Sequence, residues 1–261
     1  HYLLWWPFKN ALLTIHDIEG LKRKSGFKKW LFKKLWFDWP ISNAKAVTTI
    51  SEFSKNEILS VGNYQTPIQV IHNPLTLPLS YAPKVFYSTK PRILHIGTKA
   101  NKNLSRLIQA LKGIECELII IGKATESIKA DLKDSEIDYS IKSNLNNEQM
   151  VKEYQVCDLL AFVSTYEGFG LPIIEAQAIG RAVITSNIAS MPEVAGEGAL
   201  LVDPYSVEEI RYGIKRLIEE KNLREALIQK GLENVKRFDA ERIAEAYLEI
   251  YETMDNDSMD N

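Results

Sequence analysis

A chain of 261 residues, 45% of them apolar, is long enough to bury one large core or two modest ones. Its formal net charge of −2 gives no general attraction to nucleic acid, and no apolar run reaches the ~18 residues a membrane-spanning helix needs. The two cysteines, Cys116 and Cys157, border strand-like runs and read as buried, reduced thiols, which fits a cytoplasmic protein.

The chain opens on His1-Tyr-Leu-Leu-Trp-Trp, with no Met and no signal-peptide pattern, and is read as lacking the front of its first domain. Apolar runs predict strands over 12–15, 46–50 and 68–71, and helical spacing predicts helices over 28–39 and 54–61. These make residues 1–76 the tail of one α/β domain. Three prolines between Asn73 and Pro83 predict an extended linker over 77–90. A second α/β set follows over 91–238, with strands at 92–96, 117–121, near Tyr139, at 159–163 and at 182–185. Helices are predicted over 103–111, 126–132 and 147–155, and from 171 onward. The alternation predicts a doubly wound parallel sheet. From Ser206 the pattern is helical to about Met254, with breaks expected at Gly231 and Phe238-Asp239, and the acidic end 255–261 reads as a disordered tail. No internal repeat or low-complexity tract is evident.

The most informative stretch is Ser164-Thr-Tyr-Glu-Gly-Phe-Gly-Leu-Pro-Ile-Ile-Glu-Ala-Gln-Ala-Ile-Gly180. It follows a buried strand, so its turn falls at the strand's carboxyl end, the rim where open α/β sheets bind ligands. A helix opening near Leu171-Pro172 would aim free N–H groups and its positive end at a bound anion. Gly168 and Gly170 let backbone approach closely, with Phe169 between them. Glu167 and Glu175 are eight residues apart, at most roughly 12 Å along a helix, similar to the span of a sugar and a ribose joined by a diphosphate. Leu171, Ile173, Ile174, Ala176, Ala178 and Ile179 make this helix apolar nearly all round, so Glu175 is expected to be partly desolvated.

Glu167 to Ala176 reproduce, residue for residue, the Glu-seven-Glu signature EGFGLPxxEA, and on it the chain resembles the retaining, nucleotide-sugar-dependent glycosyltransferases of the GT-B fold, family 4 or group 1. The resemblance runs from about Leu13 to about Tyr251 and is strongest from Ile93 to Pro204. It implies a partial N-terminal Rossmann-like domain, a complete C-terminal one that binds the donor, and a last helix, 239–254, crossing back to the first domain. It also implies transfer of a hexose-like unit from a nucleoside diphosphate sugar to a sugar or lipid-linked acceptor in surface polysaccharide or glycolipid synthesis. In that scheme Glu167 fixes the transferred sugar, Glu175 accepts from the ribose hydroxyls, and no cofactor or metal is used.

His95-Ile-Gly-Thr-Lys-Ala-Asn-Lys-Asn-Leu104 follows a strand and opens a helix, a phosphate-facing arrangement of Gly97, Thr98, Lys99 and Lys102. Relatives commonly carry an Arg and a Lys there; this chain has Thr98 where many have Arg, in a loop about one residue shorter. Lys102 is the expected main diphosphate contact and Lys99 a weaker one. His16 ends a strand of the first domain and resembles the family's donor-contacting His at the rim of the interdomain cleft. Leu145 matches a position that holds the base through main-chain atoms. Ser190 and Glu193 are weak candidates that helix capping explains equally well. After Gly97 there is no second or third glycine, and Ile173 stands where G-x-G-x-x-G needs its last, so NAD binding is not expected.

Lys22 to Phe37 concentrates seven cations with five aromatic residues. As a helix it would place Lys28, Lys29 and Lys33 broadly on one side and Leu31, Leu35 and the aromatics on the other, a form suited to peripheral contact with an anionic membrane at its inner face; an ordinary domain helix has the same pattern. No metal-binding spacing is visible beyond Asp255-Asn-Asp257 in the tail. The alternative function is a non-catalytic fragment that binds nucleotide sugar without a complete acceptor domain; a phosphorylase or an NAD-dependent epimerase is a weaker one.

Overall fold

The computed structural model describes residues 10–259; the opening hexapeptide and the last two residues of the expected tail lie outside the described residues. The chain divides into two compact units, one made of residues 10–74 with 239–259, the other of 75–238.

In the first unit, β1 (Leu12–Ile15), β2 (Ala46–Thr49) and β3 (Ile68–Val70) form a parallel sheet in that order, with Leu12 opposite Ala46 and Val47 opposite Ile68. Between β1 and β2 run α1 (Glu19–Lys22), α2 (Gly26–Lys33) and α3 (Trp39–Asn43), the last two joined by a wide π-type turn at Lys34–Asp38. Pro40 lies in the first turn of α3. Lacking an N–H, it leaves the preceding helical ladder one donor short, which is where a widened turn is tolerated. Helix α4 (Glu52–Val61) starts at Ser51, whose hydroxyl accepts from the Ser54 amide at 3.0 Å. One core joins Leu13, Ile15, Val47, Ile58 and Phe37. A second joins Ile71 to Ile243, Ile250 and Met254 of the C-terminal helix, with Leu12 and Ala46 against them.

The second unit is a six-stranded parallel sheet built from β4 (Arg92–Ile96), β5 (Glu117–Ile121), β6 (Asp138–Lys142), β7 (Leu159–Phe162), β8 (Ala182–Ser186) and β9 (Leu200–Val202), in the order β6-β5-β4-β7-β8-β9. The chain moves outward from β4 to β6, then restarts on the other side of β4 with β7, pairing Ile93 with Leu159. The topological switch point is therefore between β4 and β7. Helices α5 (Leu104–Leu111), α6 (Glu126–Lys133), α7 (Asn147–Val156), α8 (Leu171–Ala178), α9 (Met191–Ala195), α10 (Val207–Glu219) and α11 (Lys221–Asn234) connect and cover the strands, and α12 (Ala240–Met259) returns to the first unit. Strand β7 is buried at all four positions, as a central parallel strand covered on both faces must be.

Three expectations are corrected. Residues 77–90 are without regular secondary structure, as an extended segment would be, but they belong to the second unit and are strapped to it. The Asp158 carboxylate accepts from Lys84 Nζ, the Tyr87 amide (3.3 Å) and the Arg92 amide (2.8 Å); Arg181 Nη1 donates to the Ala82 carbonyl at 2.8 Å; and Arg224 lies 3.8 Å from the Phe86 ring centroid. Gly231 does not break a helix. It is buried inside α11, where a Cβ would meet Gln177 Cγ at 2.9 Å, so its lack of a side chain lets α11 approach α8. Helicity is interrupted at Glu220, and the break expected at Phe238-Asp239 is present, where a 3-10 turn over Val235–Phe238 and Asp239 separate α11 from α12. The expected disordered tail is helical through Met259, because 255–259 simply prolong α12.

Candidate active site

Two loops flank the switch point, and their backbones are stitched together by asparagines. After β4, Gly97 takes φ 97°, and a Cβ there would meet Lys102 Cγ at 2.7 Å. Glycine is needed because the stem of Lys102 occupies that space. A short 3-10 turn, Ala100–Lys102, then leads to Asn103, whose left-handed φ of 62° turns the chain into α5. Asn101 Nδ2 donates to the Tyr166 carbonyl at 2.9 Å and the Asn101 carbonyl accepts from the Thr165 amide at 2.8 Å. Buried Asn103 donates to the carbonyls of Val163 (2.9 Å) and Pro204 (2.7 Å). Gly170, at φ 112°, turns the second loop into α8, with Pro172 in its first turn.

The result is an ion pair at the rim: Lys102 Nζ lies 2.7 Å from Glu167 Oε1, with side-chain exposures of 20% and 15%, and 4.8 Å from the Phe162 ring centroid. Ser190, buried at the start of α9, places its hydroxyl 2.9 Å from the Glu167 carbonyl and 2.7 Å from the Phe169 carbonyl, fixing the loop that carries Glu167. Phe169 itself is buried edge-on against Phe238 at 5.7 Å, so it offers a ligand backbone and not a ring. Gly168 and Leu171 flank it at the mouth of α8; in that first turn Pro172 carries no N–H and the Ile173 amide donates to the Gly170 carbonyl at 3.0 Å, which leaves the Leu171 amide at the opening.

Glu175 is a different kind of carboxylate. It is 8% exposed on α8 and accepts from the hydroxyl of Tyr154, a fully buried residue of α7, at 2.5 Å. Burial pushes Glu175 above the usual carboxylate range while the Tyr154 hydrogen bond pulls the other way; the same environment drives the Tyr154 phenol well upward. A carboxylate with one oxygen held this way is pre-aimed.

The structure brings Gly97, Lys102, Glu167 and the opening of α8 together. Thr98 is used locally, its hydroxyl donating to the Lys123 carbonyl at 2.7 Å, and Lys99 is exposed. Leu145 is half-buried at the carboxyl end of the edge strand β6, two strands from β4. His16 is in the first unit, exposed at the carboxyl end of β1, its carbonyl accepting from Ser54 Oγ at 3.1 Å. Tyr154, Asn101 and Asn103 were not among the expected residues. Only Tyr154 left a signal: Met150, Val151 and Tyr154 share the helical spacing of an inward face. Hollows of about 680 and 590 Å³ lie at the opposite, amino-terminal edge of the sheet, around Lys84, Asp158 and Arg181. Lys84 is spent on Asp158 and Arg181 on backbone carbonyls, so their size does not make them the reactive site. Among the described residues, no group of three or more His, Cys, Asp or Glu is placed to hold a metal ion.

A doubly wound parallel sheet with a lysine–glutamate pair, Lys102 and Glu167, beside its switch point is the architecture of a GT-B Rossmann-like domain. Residues 81–234 match the family described as "Glycosyl transferases group 1", and the chain belongs to it. It is 27% identical over 275 residues to the O-antigen chain mannosyltransferase B of Escherichia coli, covering 94% of this chain and 71% of that protein. Among solved structures, Anabaena Alr3699/HepE in complex with UDP and glucose superposes with a TM-score of 0.80 at 19% identity, over 94% of this chain and 72% of that one. The sucrose-phosphate synthase of Thermosynechococcus elongatus gives 0.76 at 20% identity, over 93% and 67%. These likenesses show the fold.

Proposed function

We propose that the second unit binds a nucleoside diphosphate sugar at the β4–β7 switch point and that the protein transfers the sugar, with retained anomeric configuration, to an acceptor hydroxyl. The observation that carries this reading is the Lys102–Glu167 pair at 2.7 Å beside the opening of α8. A diphosphate competes for Lys102 and for the Leu171 amide at the opening of α8, and exchange of partners frees Glu167 to accept from the hydroxyls of the transferred sugar. Glu175, steadied by Tyr154, takes the ribose hydroxyls. In the reaction the bond from the anomeric carbon to the diphosphate oxygen breaks, its electron pair staying on the diphosphate. The acceptor oxygen bonds to the same face of that carbon and its proton passes to a departing phosphate oxygen. Developing negative charge is met by Lys102 and the helix opening, preorganised electrostatics that route no step through a metal or cofactor.

For retention, for His16 and for Leu145 the support is the sequence resemblance. The similarity to an O-antigen chain mannosyltransferase makes mannose the first sugar to try and surface polysaccharide or a lipid-linked glycan the first acceptor class. No helix among the described residues is long and apolar enough to cross a membrane. Both cysteines are free and buried, in keeping with the cytoplasmic setting expected from the sequence.

The test is a thermal-shift panel of nucleoside diphosphates and their sugars, followed by a transfer assay with product configuration read by NMR. Stabilisation by a nucleoside diphosphate, and loss of both binding and transfer in Lys102→Ala, is the expected result. Binding without transfer by any sugar donor overturns the catalytic reading, and equal ligand response in Lys102→Ala, Glu167→Ala and Glu175→Ala overturns the site.

A further inference from the structure

Helix α2 has apolar side chains on two faces, and only one of them is used. The expected division into a lysine side and an aromatic side is not what the fold shows. Phe32 turns inward, stacked on Trp36 at 4.9 Å and packed with buried Phe37 against the first unit's core. Phe27, Trp30 and Leu31 turn outward, with exposures of 72%, 54% and 40%. Their i, i+3, i+4 spacing is that of a face meant for burial, yet α2 contains no buried residue. Phe27 and Trp30 stack on each other at 5.5 Å, forming a continuous apolar ridge instead of two scattered side chains.

Cations surround this ridge. Residues 22–37 hold seven Lys and Arg and no acid, in a chain whose net charge is −2, so the positive charge is local. Some of it is answered within the fold: Lys22 pairs with Glu57, Arg23 with Glu19, and Lys33 (2.5 Å) and Lys34 (2.9 Å) share Asp38. Lys28 and Lys29, on the same helix as the ridge, are exposed and have no carboxylate partner among the described residues.

We infer that α2 is an interfacial helix that lays the first unit on an anionic lipid bilayer, with Phe27, Trp30 and Leu31 entering the headgroup and acyl boundary and Lys28, Lys29 and their neighbours resting on lipid phosphates. Aromatic and aliphatic side chains ringed by lysines match the two layers of such a surface, apolar below and negative above. A purely acidic polypeptide would answer the lysines and leave the ridge in water. The inference is independent of the sugar chemistry proposed for the second unit.

The experiment is flotation of the full chain with vesicles of phosphatidylcholine alone or in equal mixture with phosphatidylglycerol, at low and physiological salt. Binding to the mixed vesicles, weakened by salt and nearly absent with phosphatidylcholine alone, is expected. Lys28→Gln with Lys29→Gln lowers the partition roughly 25-fold, about fivefold per lysine near an anionic surface. Phe27→Ser with Trp30→Ser abolishes flotation while circular dichroism and nucleoside diphosphate binding stay at the parent's values. Equal binding to both vesicle types, no binding to either, or flotation unchanged in both double variants overturns the inference. A concentration-dependent dimer abolished by Phe27→Ser with Trp30→Ser overturns it too, assigning the ridge to a second copy.

Discussion

Replacing Tyr154 by Phe removes one oxygen and tests whether Glu175 is held as an ionised, pre-aimed carboxylate. The bond at stake is 2.5 Å long, between a fully buried phenol and a carboxylate only 8% exposed, so water cannot readily take the lost donor's place. A hydrogen bond to a charged group contributes about 1.5–3 kcal/mol. For a domain of this size, each kcal/mol moves Tm by roughly 2–4 °C, giving an expected fall of roughly 3–12 °C in neutral buffer. The sign of the pH dependence follows from Glu175. Burial raises its folded pKa above the ordinary 4.5, so the protonated form is the one the fold prefers. That stabilisation is fully present below 4.5 and is lost as pH climbs through the folded pKa. The Tyr154 bond opposes the shift, and deleting it moves the folded pKa higher still. The Tyr154→Phe deficit is therefore largest at neutral pH and shrinks in acid, and nucleoside diphosphate affinity falls with it. Thermal melts from neutral to acid buffer, with calorimetry at neutral pH, read all three. A variant that melts with the parent at neutral pH, or whose deficit does not change with pH, would refute the reasoning.

Two further changes probe the neighbouring loop and strand. In Gly97→Ala the new Cβ meets Lys102 Cγ at 2.7 Å at a φ of 97°, so we expect a loss of about 1–3 kcal/mol and weaker diphosphate binding as Lys102 is displaced; parent-like melting and affinity would show that the lysine's seat does not depend on this glycine. His95 is fully buried on β4, its Nδ1 2.9 Å from the Ala161 carbonyl, and desolvation pushes it down to about 4 from 6.5. A depressed histidine favours the fold in its neutral form, so its contribution, ~3 kcal/mol for a shift of this size, is present above 6.5 and lost as pH falls toward 4. Denaturant titrations should show this acid limb flattened in His95→Gln, and an unchanged limb would place the loss elsewhere.

The sheet was legible because its strands are short apolar runs between polar turns, and 92–96 and 117–121 coincide with β4 and β5. The helix opening at Leu171 followed from Gly170 and Pro172. Strand β9, only Leu200–Val202, and helix α9, five residues around Pro192, are too short to show a period. Gly231 misled for a physical reason: a glycine that weakens a helix and a glycine that admits a neighbouring helix look alike until the neighbour, Gln177, is known. The aromatic segment misled in a similar way, since a composition shared by two faces cannot say which of Phe27 and Phe32 turns inward. At the candidate site, Lys102 and Glu167, both singled out in the sequence, are in contact, whereas the pairing of Glu175 with Tyr154 joins residues 21 apart on two helices and belongs to packing alone.

The return of α12 to the first unit also orders events on the ribosome. Residues 75–238 are contiguous, so the second unit can close as it emerges. The earlier body cannot: Ile71 and its neighbours wait uncovered for Ile243, Ile250 and Met254, which are translated only after the second unit. Synthesis thus matures the later-encoded body first, and a chain stopped before Ala240 would hold a closed second unit and a first-unit sheet still missing one of its protective layers.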